Sequence, residues 1–248
     1  MAQLARSHAP RGEFDSNFWR ERGLGEKSST REKFVALTID ELAKTGPHSF
    51  NATLICDLLG TTYPMVNHYF GNRDGLIAEA AAVAYRQYVF GMRDAVLAEP
   101  GDARARLAAW IRQQMAWTAE HPGIAVMLDF PHASLEISAL LTEAHQAEMA
   151  ELFEFNMANL MQLVRGVRTN TVLPLDFEPG ALPRAELMGD LELVKLASSI
   201  SLSTLGAAVF MAGRPLQSRT TTEIDEFTRV VLDQHIAHLV ALAAGELP

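Results

Sequence analysis

The chain of 248 residues has a single cysteine, Cys56, which excludes an intramolecular disulfide and a cysteine-rich zinc site and suits a reducing compartment. The N-terminus, MAQLARSHAPRGEFDSN, is broken early by Arg, His and Pro and lacks the apolar stretch of a secretory signal. Export is therefore not expected, and the expected location is the cytoplasm. One uncharged run, Leu196 to Gly213, reaches 18 residues, near the lower bound for a membrane span. Its hydroxyls at Ser198, Ser199, Ser201, Ser203 and Thr204 favour a buried packing helix. Catalytic signatures are missing as well: there is no Gly-rich phosphate loop, Gly-x-Ser-x-Gly elbow or His-Glu-x-x-His helix, and Cys56 has no evident partner. No enzymatic activity and no cofactor is expected. Basic side chains are also scarce, 21 Lys plus Arg against 30 Asp plus Glu for a net charge of −9, which argues against a surface coated throughout with nucleic acid.

The charge is not evenly spread. Residues 1–75 hold nine basic side chains and nine acids, so the whole negative excess falls in residues 76–248. Only the first third can comfortably approach a polyanion. A hydrophobic content of 48% over this length supports a sizeable core and excludes disorder as the main state.

Residues 1–28 mix Pro, Gly, Ser and alternating charges without periodicity and read as a flexible arm. From Thr30, Phe34, Leu37, Ile39, Leu42 and Ala43 recur at helical spacing up to a Thr45-Gly46-Pro47 stop. Asn51 offers an N-cap for a short helix holding Leu54, Ile55, Leu58 and Leu59, closed by Gly60. Thr62 can cap a third helix, in which Pro64 is tolerated and Val66 with Phe70 form the inward face. Beyond this the chain reads as helix throughout, without strand alternation. Segments are expected at Arg73–Ala98, Asp102–Glu120, Ile124–Asp129, Ser134–Val167, Ala185–Ala212 and Glu223–Ala244. The fold class is all-α, in three parts: the arm at 1–28, a three-helix unit at 29–75 and a helical remainder at 76–248.

Two short helices joined by a tight turn, the second presenting polar residues, form the arrangement whose second helix fits the DNA major groove. The string Val66-Asn67-His68-Tyr69-Phe70-Gly71-Asn72-Arg73-Asp74-Gly75-Leu76 resembles the end of the DNA-binding domain in the TetR family of bacterial transcription regulators. The resemblance covers about Thr30 to Leu76; the remainder matches that family's divergent ligand domain in size and helicity. The turn here is Leu59-Gly60-Thr61-Thr62, Asn67 stands where a Tyr is frequent, and Cys56 stands where a small Ala is usual. The resemblance implies operator DNA as partner, a small-molecule effector, a homodimer and transcriptional control, most often repression.

With Val66 and Phe70 inward, Thr62, Tyr63, Asn67 and His68 face outward, and Thr61 sits in the turn. Asn can pair bidentately with adenine and Thr can contact a phosphate or a thymine methyl. Tyr69 is either a half-buried ring or, with His68, a substitute for the missing Tyr contact. Arg73, matching the family's Lys or Arg at a helix start, suits a phosphate. Asn51 and Thr53 could donate to phosphate, although capping alone explains Asn51.

In the acidic remainder, Trp110, Gln114, Trp117, Met127, Phe130, Phe153 and Met157 form a candidate effector site, read equally as ordinary core. His235 and His238 share a helical face but lack a third ligand for a metal. Dimerisation is expected through the last two long helices, using Ile224, Phe227, Val231 and Leu239 and the small-residue face around Ala207. The reading from a different class is a helical protein-interaction module without sequence-specific DNA binding.

Overall fold

The computed structural model describes residues 19–20, 23–25, 28–129, 143–175, 184–212 and 221–247. Among them every regular element is an α-helix. These are α1 (Thr30–Ser49), α2 (Ala52–Leu58), α3 (Tyr63–Phe70), α4 (Arg73–Ala98), α5 (Ala103–Glu120), α6 (Pro122–Asp129), α7 (Glu143–Thr169), α8 (Arg184–Gly189), α9 (Leu191–Ala212) and α10 (Thr221–Ala244). Among the described residues no helix is long and apolar enough to cross a membrane.

The starts of these helices follow from side chains that satisfy the orphan N–H groups of a first turn. Ser29 and Glu32 form a reciprocal capping box at α1. Asn51, Asn72 and Asp102 accept from the first-turn amides of α2, α4 and α5. Thr62 occupies the N-cap of α3, but its side chain makes no capping hydrogen bond, so that expectation is corrected. The first turn of α3 holds Pro64, which has no amide to cap. The Gly46-Pro47 stop operates as an interruption: Gly46 leaves helical geometry at φ 67° and ψ 174°, and a further turn carries on to Ser49.

Two other boundaries differ from expectation. The helix anticipated over Ala185–Ala212 is two helices, because Asp190 steps out of the ladder and its carboxylate accepts from the Leu193 amide at 3.0 Å. A side chain that competes locally for backbone donors ends one helix and caps the next. The long helix anticipated from Ser134 is described from Glu143, and its earlier part lies outside the described residues.

The apolar core is continuous from Phe34 in α1 to Ala243 in α10. Helix α1 packs on α6 and α4, while α5, α7 and α9 pack on one another, with α7 almost wholly enclosed between Phe155 and Val164. Gly123 makes the α1–α6 approach feasible, since a Cβ there would lie 2.1 Å from the Leu42 carbonyl oxygen. The first three helices are therefore joined to the rest through core, not through a bare linker. Within the segment expected as an arm, Trp19 and Leu24 are among the described residues. Trp19 is buried beneath Lys33, whose ammonium lies 5.2 Å from the ring centroid, and Leu24 packs against the same core.

Candidate nucleic-acid interface

Helices α2 and α3 are joined by Leu59-Gly60-Thr61-Thr62. The Gly60 amide donates to Asp57 at 3.2 Å and the Thr61 amide to Cys56 at 2.9 Å, which closes α2. Gly60 adopts φ 63°, the left-handed conformation that glycine enters without steric cost. Val66 is fully buried and Phe70 half-buried, with the Phe70 ring 5.9 Å from Phe34 in a T-shaped contact. This anchored edge turns Thr62, Tyr63, Asn67 and His68 to solvent. Tyr69 is half-buried between Phe34 at 6.3 Å and His68 at 5.0 Å, so the core component of its two readings is present. Thr61 is half-exposed in the turn.

Asn51 spends its carbonyl oxygen on the Thr53 and Leu54 amides at 3.0 and 3.4 Å. Capping accounts for it, and Thr53 beside it is exposed. On α2 the burial falls on Ala52, Ile55 and Cys56, while Leu54 is 39% exposed, and on α3 Tyr63 is 40% exposed. Helical periodicity alone had assigned Leu54 to the interior of α2.

Arg73 has an occupation that the sequence did not indicate. Its guanidinium donates to the Pro47 carbonyl at 2.6 Å and to the Phe50 carbonyl at 3.2 Å, and pairs with Asp74 at 3.1 Å. It also lies 5.5 Å over the Phe50 ring. These carbonyls belong to the end of α1, so Arg73 caps that helix from the start of α4 and sets the direction in which α2 departs. Arg31 acts in parallel: it pairs with Glu79 at 2.6 Å and sits 5.5 Å over the Phe70 ring. The two guanidiniums brace α2 and α3 between α1 and α4. With both engaged, the exposed side chains of α2 and α3 are uncharged apart from Asp57.

The anticipated effector residues are dispersed in burial. Trp110, Gln114, Met127, Trp117 and Met157 are all buried, whereas Phe153 is 56% exposed on the outer side of α7. Phe153 therefore does not join them, although it lies four residues from Met157 on the same helix. Phe130 lies outside the described residues. Trp117 packs on Tyr88 at 4.8 Å and stacks on His121 at 4.6 Å. The indole N–H of Trp110 and the amide oxygen of Gln114 have no hydrogen-bond partner among the described residues. A cavity of about 490 Å³ opens elsewhere, between α1, α4 and α7, and a neighbouring one of about 330 Å³ reaches Trp117 and His121. Neither takes in Trp110, Gln114, Met127 or Met157. Of the anticipated dimer residues, Leu239 is buried within the chain and Val231 is half-buried. The side chains of Ile224 and Phe227 are not described.

Comparison with protein-family models yields no match, and no curated protein matches the chain.

Proposed function

We propose that the protein is a DNA-binding transcription regulator of the kind its α2–turn–α3 segment resembles, a repressor released from operator DNA by a small-molecule effector. The observation that carries this reading is α3 itself. It is pinned by Val66 and Phe70, exposes Thr62, Tyr63, Asn67 and His68 along one side, and leaves the Thr62 side chain out of the cap. A helix held in this way can enter a major groove with Asn67 at base edges, while Thr53, Thr62 and Tyr63 reach the sugar-phosphate backbone. Arg73 and Arg31 hold its angle. One such unit contacts too little DNA for typical operator affinity, and a two-fold partner reaches the next groove, about 34–36 Å away. The exposed Leu191, Leu202 and Val230 on α9 and α10 support pairing through these last two helices. An effector that favours one spacing of the two units over another changes operator affinity by its differential binding.

The test is fluorescence anisotropy of the full chain on fragments selected from a genomic library. Site-specific binding that weakens with salt is the expected result. Its complete absence, with a folded protein, would leave the helical interaction module as the reading.

A further inference from the structure

The cavity between α1, α4 and α7 has an apolar floor, made by Val35, Ala36 and Ile39 from one helix and Ala82 and Val83 from another. Its volume of about 490 Å³ falls in the ordinary range for small-molecule sites. Its wall carries two ion pairs that join distant parts of the chain, Arg31 with Glu79 and Arg86 with Glu148. The partners are unequally placed. The Arg31 and Arg86 side chains are each 50% exposed, Glu148 is 30% exposed and Glu79 only 12%. The most enclosed formal charge in the cavity is thus a carboxylate. Burial pushes the Glu79 carboxyl above its ordinary range in spite of Arg31 and His145 nearby, so Arg31 compensates its desolvation incompletely. Glu32, also on the wall, is occupied by its cap at Ser29.

We propose that this cavity binds a lipophilic organic cation, whose charged group takes the place of Arg31 at Glu79 while its apolar body covers the floor. The inference deepens the regulator reading by giving the effector a site and a chemical class, and it rests on that reading only for what the occupant does. A cation is favoured over an anion because the innermost charge is the Glu79 carboxylate, whereas the guanidiniums of Arg31 and Arg86 each reach half into solvent and His145 lies at the same wall. The half-exposed Arg31 side chain can turn into water, whereas that of Glu79 is mostly enclosed. The exchange also frees the guanidinium that lies over Phe70. Occupancy of the cavity is thereby connected to the seating of α3 through one side chain.

Isothermal titration of the full chain, without DNA, with tetraphenylphosphonium and with its anionic isostere tetraphenylborate tests the proposal. The phosphonium should bind at least tenfold more tightly than the borate. Glu79→Gln should weaken the phosphonium tenfold or more, and Val83→Trp, which fills the cavity and keeps Glu79, should do the same. Glu151→Gln, an exposed acid on α7, should leave binding unchanged and so separate the site from general attraction to an acidic chain. Equal binding of the two ions, no heat with the phosphonium up to millimolar concentration, or full affinity in either cavity variant would overturn it. If Glu79→Gln does not fold, the two ions compared on the natural protein and on Val83→Trp decide. Because no DNA is present, failure here leaves the DNA reading untouched, and failure to bind operator leaves the cavity result standing.

Discussion

Replacing Arg73 by Ala and by Lys separates a clamp from a simple phosphate contact. The guanidinium holds two main-chain carbonyls, at 2.6 Å to Pro47 and 3.2 Å to Phe50, and covers the Phe50 ring. A hydrogen bond from a charged donor contributes about 1.5–3 kcal/mol when well buried. The Arg73 side chain is 35% exposed, so solvent screening reduces that figure. A net loss of about 1–3 kcal/mol is expected for Arg73→Ala. For a chain of this size that corresponds to a fall in melting temperature of roughly 3–10 °C. Lysine keeps the charge but offers a single ammonium that cannot span both carbonyls and stack on the ring, so Arg73→Lys should lose most of the same stability. The assay is thermal unfolding followed by circular dichroism at 222 nm, with urea unfolding as a second measure. In the proposed function, both variants should also bind all DNA sequences more weakly by similar factors, since they disturb the seating of α2 and α3 without touching a base. Natural melting temperatures for both variants would refute the clamp. Full DNA affinity for Arg73→Lys with the stability lost would refute its connection to binding.

Asn67→Ala should leave stability within about 0.5 kcal/mol, as expected of an exposed position, while relaxing base preference at one operator position by about 1–3 kcal/mol; a binding-site selection with an unchanged consensus would count against its groove-facing role. Leu202→Glu, at a side chain that is 66% exposed, should convert a dimer to a monomer in light scattering without lowering helicity, and a dimer retained at micromolar concentration would relocate the interface. Burial, and then the adjacent His238, hold the His235 imidazole below its ordinary value, with the Ser203 carbonyl pulling the other way. Such a histidine binds its proton more readily when unfolded, so its contribution is full above the ordinary value of about 6.5 and is lost as the pH falls below it. Melting temperature should therefore drop on acidification from about pH 7.5 to 5.5, by less in His235→Gln, and identical pH slopes for the two proteins would dismiss this contribution.

What the sequence determined by itself was local. The Asn51 cap, the Gly60 turn, the interruption at Gly46-Pro47 and the extent of α4 were legible because each depends on backbone groups within about four residues, where side-chain type decides which amide or carbonyl is satisfied. The outward set on α3 was legible for the same reason, since Val66 and Phe70 define one face of a short helix. Tertiary packing decided the rest. Arg73 could be read as a free cation until the end of α1 came within reach of its fork, 23 and 26 residues away in the chain. Phe153 and Met157 have similar periodicity, and only the placement of α7 sends one to water and the other to the core. The cavity left no trace in the sequence: Arg31 meets Glu79 across 48 residues and Arg86 meets Glu148 across 62. Which charges share a pocket depends on how whole helices cross, and that is set by the summed packing of apolar faces, in which charged residues take the positions the core leaves them.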